Sequence, residues 1–305
     1  LPAYLTLDKE IPMGGPAVHS LKPGHAAPIH TGGMLPPGAN AVIMIEYTQI
    51  ARPGEIEILR PVAPLENILT AGEDLKAGDL VLKPGIRLRP ADIGGLMALG
   101  IMELDVFSQP SIAILSSGDE VIPPDQKPVA GQVRDINSYS LGGLVQQHSG
   151  LARSYGILPD REDELFTRLN QALDENDSAV ITAGSSASIR DLTARVIQSL
   201  GSPGVLVHGV NVKPGKPTIL AVCNGKPVIG LPGNPVSALV VANLFLVPLL
   251  QRLSGAIAPP HPTIFAHLAI NLSSQAGRED WFPVRLRSNE SGWQAEPVFY
   301  KSNLI

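Results

Sequence analysis

Four polar segments, each beside an apolar run, hold side chains able to handle a phosphorylated ligand. The first is Ser116-Ser117-Gly118-Asp119-Glu120, where two adjacent carboxylates follow an apolar stretch and precede the stiff pair Pro123-Pro124. Magnesium prefers oxygen ligands and combines one or two carboxylates with phosphate oxygens and water, so this loop suits a phosphorylated ligand better than an all-protein cage. Taken alone, it equally reads as a solvated acid pair. The second, Gly184-Ser185-Ser186-Ala187-Ser188, joins a strand to a helix start, where free amides and the helix dipole attract anions. It carries neither a Walker lysine nor Rossmann spacing, and such turns also serve as plain connectors. Asp191 falls on the first turn of that helix, as a cap or as a further magnesium ligand. In the third, Lys213-Pro214-Gly215-Lys216-Pro217, prolines hold two ammonium groups in place at little entropic cost, which suits an anion or simply a stiff basic turn. The fourth, Leu231-Pro232-Gly233-Asn234-Pro235-Val236-Ser237, ends a strand and opens a helix, with Asn234 as N-cap, Pro235 at the first helical position, and the amides of Val236 and Ser237 directed outward.

The elements that must position these loops are legible from periodicity. From Pro110 onward, apolar strands alternate with amphipathic helices: strands at Ser111 to Leu115, Ala152 to Leu158 and Ser178 to Thr182, and a helix from Ser138 to His148 ending near Gly150. Asp160 reads as the N-cap of a helix whose buried stripe is Leu165, Phe166, Leu169 and Leu173. Ser188-Ile189-Arg190-Asp191 reads as a capping box opening a helix that Gly201 stops. Asn224-Gly225 between Lys216 to Val222 and Pro227 to Leu231 predicts a tight hairpin, hence a mostly parallel sheet with an antiparallel pair. Val236 to Leu250 reads as a buried helix, being interrupted by Asn243 and Pro248.

Upstream, residues 1–84 are rich in Pro and Gly with β-branched runs at Ala41 to Ile45 and Ile56 to Leu59, which predicts a small β-rich domain. Residues 85–108 form a helical connector around Ala91 to Gly100, where the Gly94-Gly95 pair would admit another backbone. Residues 109–255 make the αβ domain, and 256–305 a small β domain that follows a proline-rich linker and alternates around Trp281 to Leu286. At 305 residues several cores are expected, and 44% apolar with 17% charged residues excludes general disorder and a wholly membrane-embedded architecture. A net charge of -5 disfavours nucleic acid as partner. The lone Cys223 forbids an intrachain disulfide and, following an apolar run, reads as a buried strand thiol in a reducing cytoplasm. No signal peptide is readable at Leu1-Pro2-Ala3, no membrane partner is implied, and the chain reads as a piece of a longer protein.

Five segments occur in this order: Pro28-Ile29-His30-Thr31-Gly32-Gly33-Met34-Leu35-Pro36-Pro37-Gly38-Ala39-Asn40-Ala41-Val42, Gly72-Glu73-Asp74, Ser117 to Glu120, Lys213 to Pro217, and Leu231 to Ala238. Together they resemble the signature series of the MoeA and gephyrin E-domain family of molybdopterin molybdenumtransferases. The resemblance implies a three-layer αβα molybdopterin-binding domain with a mixed, mostly parallel sheet, flanked by β-rich N-terminal and small C-terminal β domains. It also implies magnesium-dependent insertion of molybdate into adenylated molybdopterin with release of AMP, by a homodimer, with the molybdopterin adenylyltransferase as a further candidate partner. Carried over by motif, Asp119, Glu120 and Asp191 handle magnesium and pterin, and Lys213 and Lys216 hold phosphate or molybdate. Thr31, Ser117, Gly118, Asp160, Gly184, Ser185, Ser186, Ser188, Pro232, Asn234, Pro235, Arg285 and Ser302 occupy further ligand-binding places. A non-catalytic scaffold of the gephyrin kind and a nucleotide pyrophosphatase are the competing readings; the retained acids and lysines favour the enzyme over the first, and the N-terminal β region counts against the second.

Overall fold

The computed structural model describes residues 3–184, 187–257, 262–290 and 292–298. The chain divides into two compact units, Leu1–Leu82 and Lys83–Ile305. In the first, strands β1 (Ala3–Leu7), β2 (His25–Ala26), β3 (Thr48–Arg52) and β4 (Glu55–Ile58) form one sheet in the order β2-β1-β4-β3. Strands β3 and β4 are joined by Pro53-Gly54, with Gly54 at φ +78°, the pairing a tight turn demands. The run Ala41 to Ile45, expected as a strand, is none. Its backbone is taken by a neighbouring loop, with Val42 N–H donating to Glu66 O (3.0 Å) and Asn67 Nδ2 to Val42 O (2.8 Å), and at Ile45 the chain turns into a 3-10 helix, Ile45–Tyr47.

The second unit opens with α1 (Pro90–Ala98), whose Asp92 caps the backbone of Arg89 at 2.8 Å. Its end is a Schellman closure: Ile101 N–H bonds Leu96 O (2.9 Å) and Gly100 N–H bonds Met97 O (3.0 Å), with Gly100 at φ +73°. Gly94 and Gly95 face open space rather than another backbone, contrary to the expectation for that pair.

The following elements are β5 (Ser111–Ser117), β6 (Val121–Ile122), β7 (Val133–Arg134), α2 (Asn137–Gln147), β8 (Leu151–Leu158), α3 (Glu162–Glu175), β9 (Ser178–Ala183), α4 (Ala187–Ser199) and β10 (Pro203–His208). Then come β11 (Val212–Lys213), β12 (Ile219–Cys223), β13 (Lys226–Pro232), α5 (Pro235–Val241), a π-helical turn (Ala242–Leu246) and α6 (Val247–Leu253). The main sheet has the order β10-β12-β13-β9-β5-β8, with β8, β5, β9 and β13 parallel and β12 antiparallel to both its neighbours. The expected hairpin is present, its Asn224 and Gly225 at φ +51° and +85°. Period-2 alternation sends Ala113, Leu115, Ala179 and Ile181 to the face covered by α3 and α4, and Ile112, Ile114, Val180 and Ile229 to the face covered by α2, α5 and α6. Both faces are therefore dry, and the fold is a three-layer αβα sandwich with a mixed, mostly parallel sheet.

Three local expectations are corrected. Arg161, not Asp160, holds the N-cap position of α3, because the Asp160 carboxylate is engaged by Ser117 instead. Phe166 remains 38% exposed while Leu165, Leu169 and Leu173 are buried, since the buried stripe of α3 is narrow. Helix α4 begins at Ala187, which puts Ser188 inside it rather than at a capping box. The apolar run Pro235–Leu253 has 19 residues and a mean hydropathy of 1.8, enough by length and composition to cross a membrane, yet Ala238, Val241, Leu246 and Leu250 pack it on the sheet. Pro248 cannot donate to the preceding turn, and the π turn immediately before it absorbs the break.

Small strands complete the unit: β14 (His267–Leu268), β15 (Glu279–Asp280), β16 (Val284–Asn289) and β17 (Gly292–Pro297). Strands β14, β17 and β16 form a three-stranded sheet, while β15 pairs in parallel with β11.

Candidate functional site

Strands β5 and β9 are neighbours, but the helices that follow them, α2 and α4, lie on opposite faces of the sheet. Between their C-terminal ends such a divergence leaves a crevice. A cleft of about 410 Å³ lies there, lined by Ser116 and Ser117 of β5, Glu120, Arg134 to Asn137, Thr182 of β9, Gly184, and Gly233 to Pro235.

Three of the four loops converge on it. Glu120 reaches toward the second loop, its Oε1 only 3.8 Å from where a Gly184 Cβ would stand. Gly233 presses against the end of β9: a Cβ there would meet Ala183 O at 2.8 Å, so only glycine lets the fourth loop lie this close to Gly184. Asn234 caps α5, accepting the Ser237 N–H at 3.2 Å, and Pro235 takes the first helical position as expected. That cap consumes the Ser237 amide, which is therefore not presented outward.

Asp119 and Glu120 diverge. Glu120 lines the cleft, whereas Asp119 Oδ1 accepts the Asp160 N–H at 3.3 Å and Ser117 Oγ donates to the Asp160 carboxylate, so Ser117, Asp119 and Asp160 form a cluster at the rim. Gly118, at φ +150°, makes the corner between them; a Cβ there would meet the Glu120 carboxylate at 2.8 Å. Among the described residues no three His, Cys, Asp or Glu side chains are gathered as a metal cage. Asp191 is exposed on α4.

The lysine loop stands beside the cleft rather than in it. Gly215, at φ +120°, abuts α5, with Val241 Cγ2 only 2.2 Å from a would-be Cβ, and Pro217 borders a small gap together with Gly184 and Pro232. Lys213 and Lys216 are exposed. Strand β15 buttresses this loop: Trp281 N–H donates to Lys213 O at 2.7 Å, and in register Asp280 stands opposite Lys213. Hydrogen bonds from Arg278 hold the Asp280 carboxyl below its usual range, with bonding from Ser274 and smaller electrostatic help from Arg278 and Lys213.

The remaining sequence candidates lie elsewhere. Thr31 is exposed in the first unit, and Arg285 is exposed on β16 opposite Glu296. Ser185, Ser186 and Ser302 fall outside the described residues.

Sequence reasoning missed the floor of the cleft. Ser116 Oγ donates to Asp135 Oδ1 (2.9 Å) and lies 3.0 Å from Ser138 Oγ and 3.2 Å from Thr182 Oγ1, all four residues being buried. Asp135 Oδ1 also accepts the Ser138 N–H at 3.1 Å, which makes it the working cap of α2. The available signal was the cap-forming run Asp135-Ile136-Asn137-Ser138 ahead of a helix already recognised.

Comparison with known proteins meets this geometry. A sequence profile described as the MoeA N-terminal region (domain I and II) matches residues 3–100, and one described as "Probable molybdopterin binding domain" matches residues 113–252. A crystal structure of molybdopterin biosynthesis moeA protein from Pyrococcus horikoshii OT3 superposes with a TM-score of 0.78 at 33% identity, covering 100% of this chain and 74% of that one. The chain belongs to the MoeA family. Among curated relatives, the molybdopterin molybdenumtransferase of Haemophilus influenzae is 34% identical over 268 residues, 88% of this chain and 66% of the relative. That of a Nostoc species is 32% identical over 257 residues, 83% of this chain and 58% of the relative. The chain thus spans about two thirds or less of these MoeA relatives. Its cleft falls within the segment matched as the molybdopterin-binding domain.

Proposed function

We propose that this protein serves molybdenum-cofactor synthesis as a molybdopterin molybdenumtransferase, inserting molybdate into adenylated molybdopterin with release of AMP. The observation that carries the reading is the convergence of Glu120, Gly184 and the Gly233 turn on one cleft at the carboxyl edge of β5 and β9, inside the matched molybdopterin-binding segment. Glu120 supplies a carboxylate facing the cleft; Asp160, braced by Ser117, supplies a second at the rim. Lys213 and Lys216, on a loop stiffened by Pro214 and Pro217 and seated on α5, supply cations for phosphate or molybdate.

Glu120 would hold magnesium at the cleft, with Asp119 at the rim and Asp191 on α4 as further candidates. Such a cation takes one or two protein carboxylates and completes its shell with phosphate oxygens and water. When bound it neutralises charge on the leaving phosphate. A homodimer, hand-over of substrate from the adenylyltransferase and a cytoplasmic location belong to the same proposal. So does a functional division at residues 1–84, 85–108, 109–255 and 256–305.

The test incubates the full-length protein with adenylated molybdopterin, magnesium and molybdate, measuring AMP release and reconstitution of an apo-molybdoenzyme. Molybdate-dependent AMP release is expected. Pterin binding without any AMP release would replace the enzyme by a binding module.

A further inference from the structure

Among the described residues at the cleft, one buried side-chain oxygen has no partner. Asn137, at 8% exposure, lines the cleft on the first turn of α2, and its Oδ1 is shielded from solvent with no hydrogen bond, whereas its Nδ2 donates to Gly233 O at 2.9 Å. The orientation is fixed by chemistry: a backbone carbonyl only accepts, so the amide nitrogen must face Gly233 and the oxygen must face away. An unpaired buried acceptor is destabilising, and natural structures leave few of them. The polar groups around it are satisfied, since Ser116, Asp135, Ser138 and Thr182 bond one another. Among the described residues only Asn176 Oδ1 is likewise buried and unpaired, and Asn176 does not line this cleft.

We propose that Asn137 is a specificity residue whose Oδ1 accepts an N–H of the 2-amino group on the ligand's 2-amino-4-oxopyrimidine ring; this rests on the reading of the cleft as a pterin nucleotide site. The required ligand edge must be a donor. An amide oxygen can only accept, so at this point the wall favours an amino hydrogen over a ring carbonyl. Because Oδ1 is shielded, its use by a ligand requires the carboxamide, held through one hydrogen bond to Gly233 O, to rotate on binding. Asn137 therefore couples recognition of the ring to the placement of Gly233 and Asn234, the turn that opens α5.

The experiment measures binding of pterin, of lumazine, which carries oxygen where pterin carries its 2-amino group, of guanosine monophosphate and of inorganic pyrophosphate. It uses the full chain and its Asn137→Ala and Asn137→Ser variants. The wild type should prefer pterin over lumazine by about tenfold or more, the worth of one hydrogen bond to a buried acceptor. Asn137→Ala should erase that preference, with pyrophosphate affinity unchanged; Asn137→Ser, which keeps a small polar group, covers the case in which alanine unfolds the protein. Guanosine monophosphate losing affinity in parallel would support the same ring chemistry and name a nucleotide base as its source. A wild type that binds pterin and lumazine equally overturns the role of Asn137 while leaving the site assignment standing. A preference retained in both variants, with only the melting temperature lowered, also overturns it. Failure of the wild type to bind either pterin or pyrophosphate would sink the underlying site as well.

Discussion

Single residues at this site divide into those that face the cleft and those that hold the ones that do. Glu120 faces it from an exposed loop, so Glu120→Ala should lower AMP release by at least about 100-fold, as removal of one transition-state charge contact does, with the melting temperature nearly unchanged. Wild-type turnover in that variant would remove Glu120 from the mechanism. Asp135 is the opposite case. Buried and bonded to Ser116 Oγ and the Ser138 N–H, it caps α2, and Asp135→Ala leaves both donors without that acceptor. A loss of about 1–3 kcal/mol is expected, measured as a shift of the urea midpoint. The single thiol also belongs at this scale. Cys223 is buried on β12, its Sγ–H directed at Ile197 O (3.3 Å), and burial pushes its pKa up. It should resist thiol reagents in the native protein and react fully only in denaturant; rapid native labelling would contradict its placement.

At the scale of elements, the lysine loop depends on the helix beneath it. Gly215 lies against Val241 of α5 at a φ that side chains rarely adopt, so Gly215→Ala meets both strain and a 2.2 Å contact and must lift the loop. Pyrophosphate affinity should fall together with a stability loss of about 2 kcal/mol or more. Adding Val241→Ala should relieve the contact but not the backbone strain, so recovery in the double variant should be partial; full recovery would mean that φ costs nothing there. Lys213→Ala and Lys216→Ala, by contrast, should weaken pyrophosphate binding in a salt-dependent way without touching stability, because both ammonium groups are exposed. An affinity flat across the salt titration would reduce the loop to a stiff turn.

For the molecule as a whole, acid stability follows from how the sheet is tied. The Asp177 carboxylate accepts the Ser111 N–H (2.7 Å) and Oγ–H (2.8 Å) at the start of β5, and these bonds outweigh desolvation to hold its pKa below the ordinary 3.8. A depressed carboxylate stabilises the fold fully above its unfolded pKa and loses that contribution as pH falls through the folded value. Unfolding free energy should therefore drop on acidification below about pH 4, and Asp177→Asn should flatten that limb; an unchanged slope would deny the tie. How much of this was legible beforehand depends on the range of the forces involved. Period-2 and period-3.6 apolar patterns, Asn224-Gly225 and the Asn234-Pro235 cap act within a few residues, so the αβ alternation, the hairpin and the start of α5 could be read from the chain. Ordered motifs likewise carried the family. Asp160 shows where such reading stops: locally it is a good N-cap, but Ser117, distant in sequence and adjacent on the neighbouring strand, takes its carboxylate. Ala41 to Ile45 has strand-forming residues, yet groups of the loop at Glu66 and Asn67 bond its backbone at Val42 instead. The elements and the loops that carry charge can be read from residue order alone, because they follow from local sterics and burial. Only the tertiary structure decided that Glu120 enters the cleft while Asp119 turns to the rim, and that Asn137 keeps an unpaired carbonyl there, because those outcomes depend on which strand ends become neighbours.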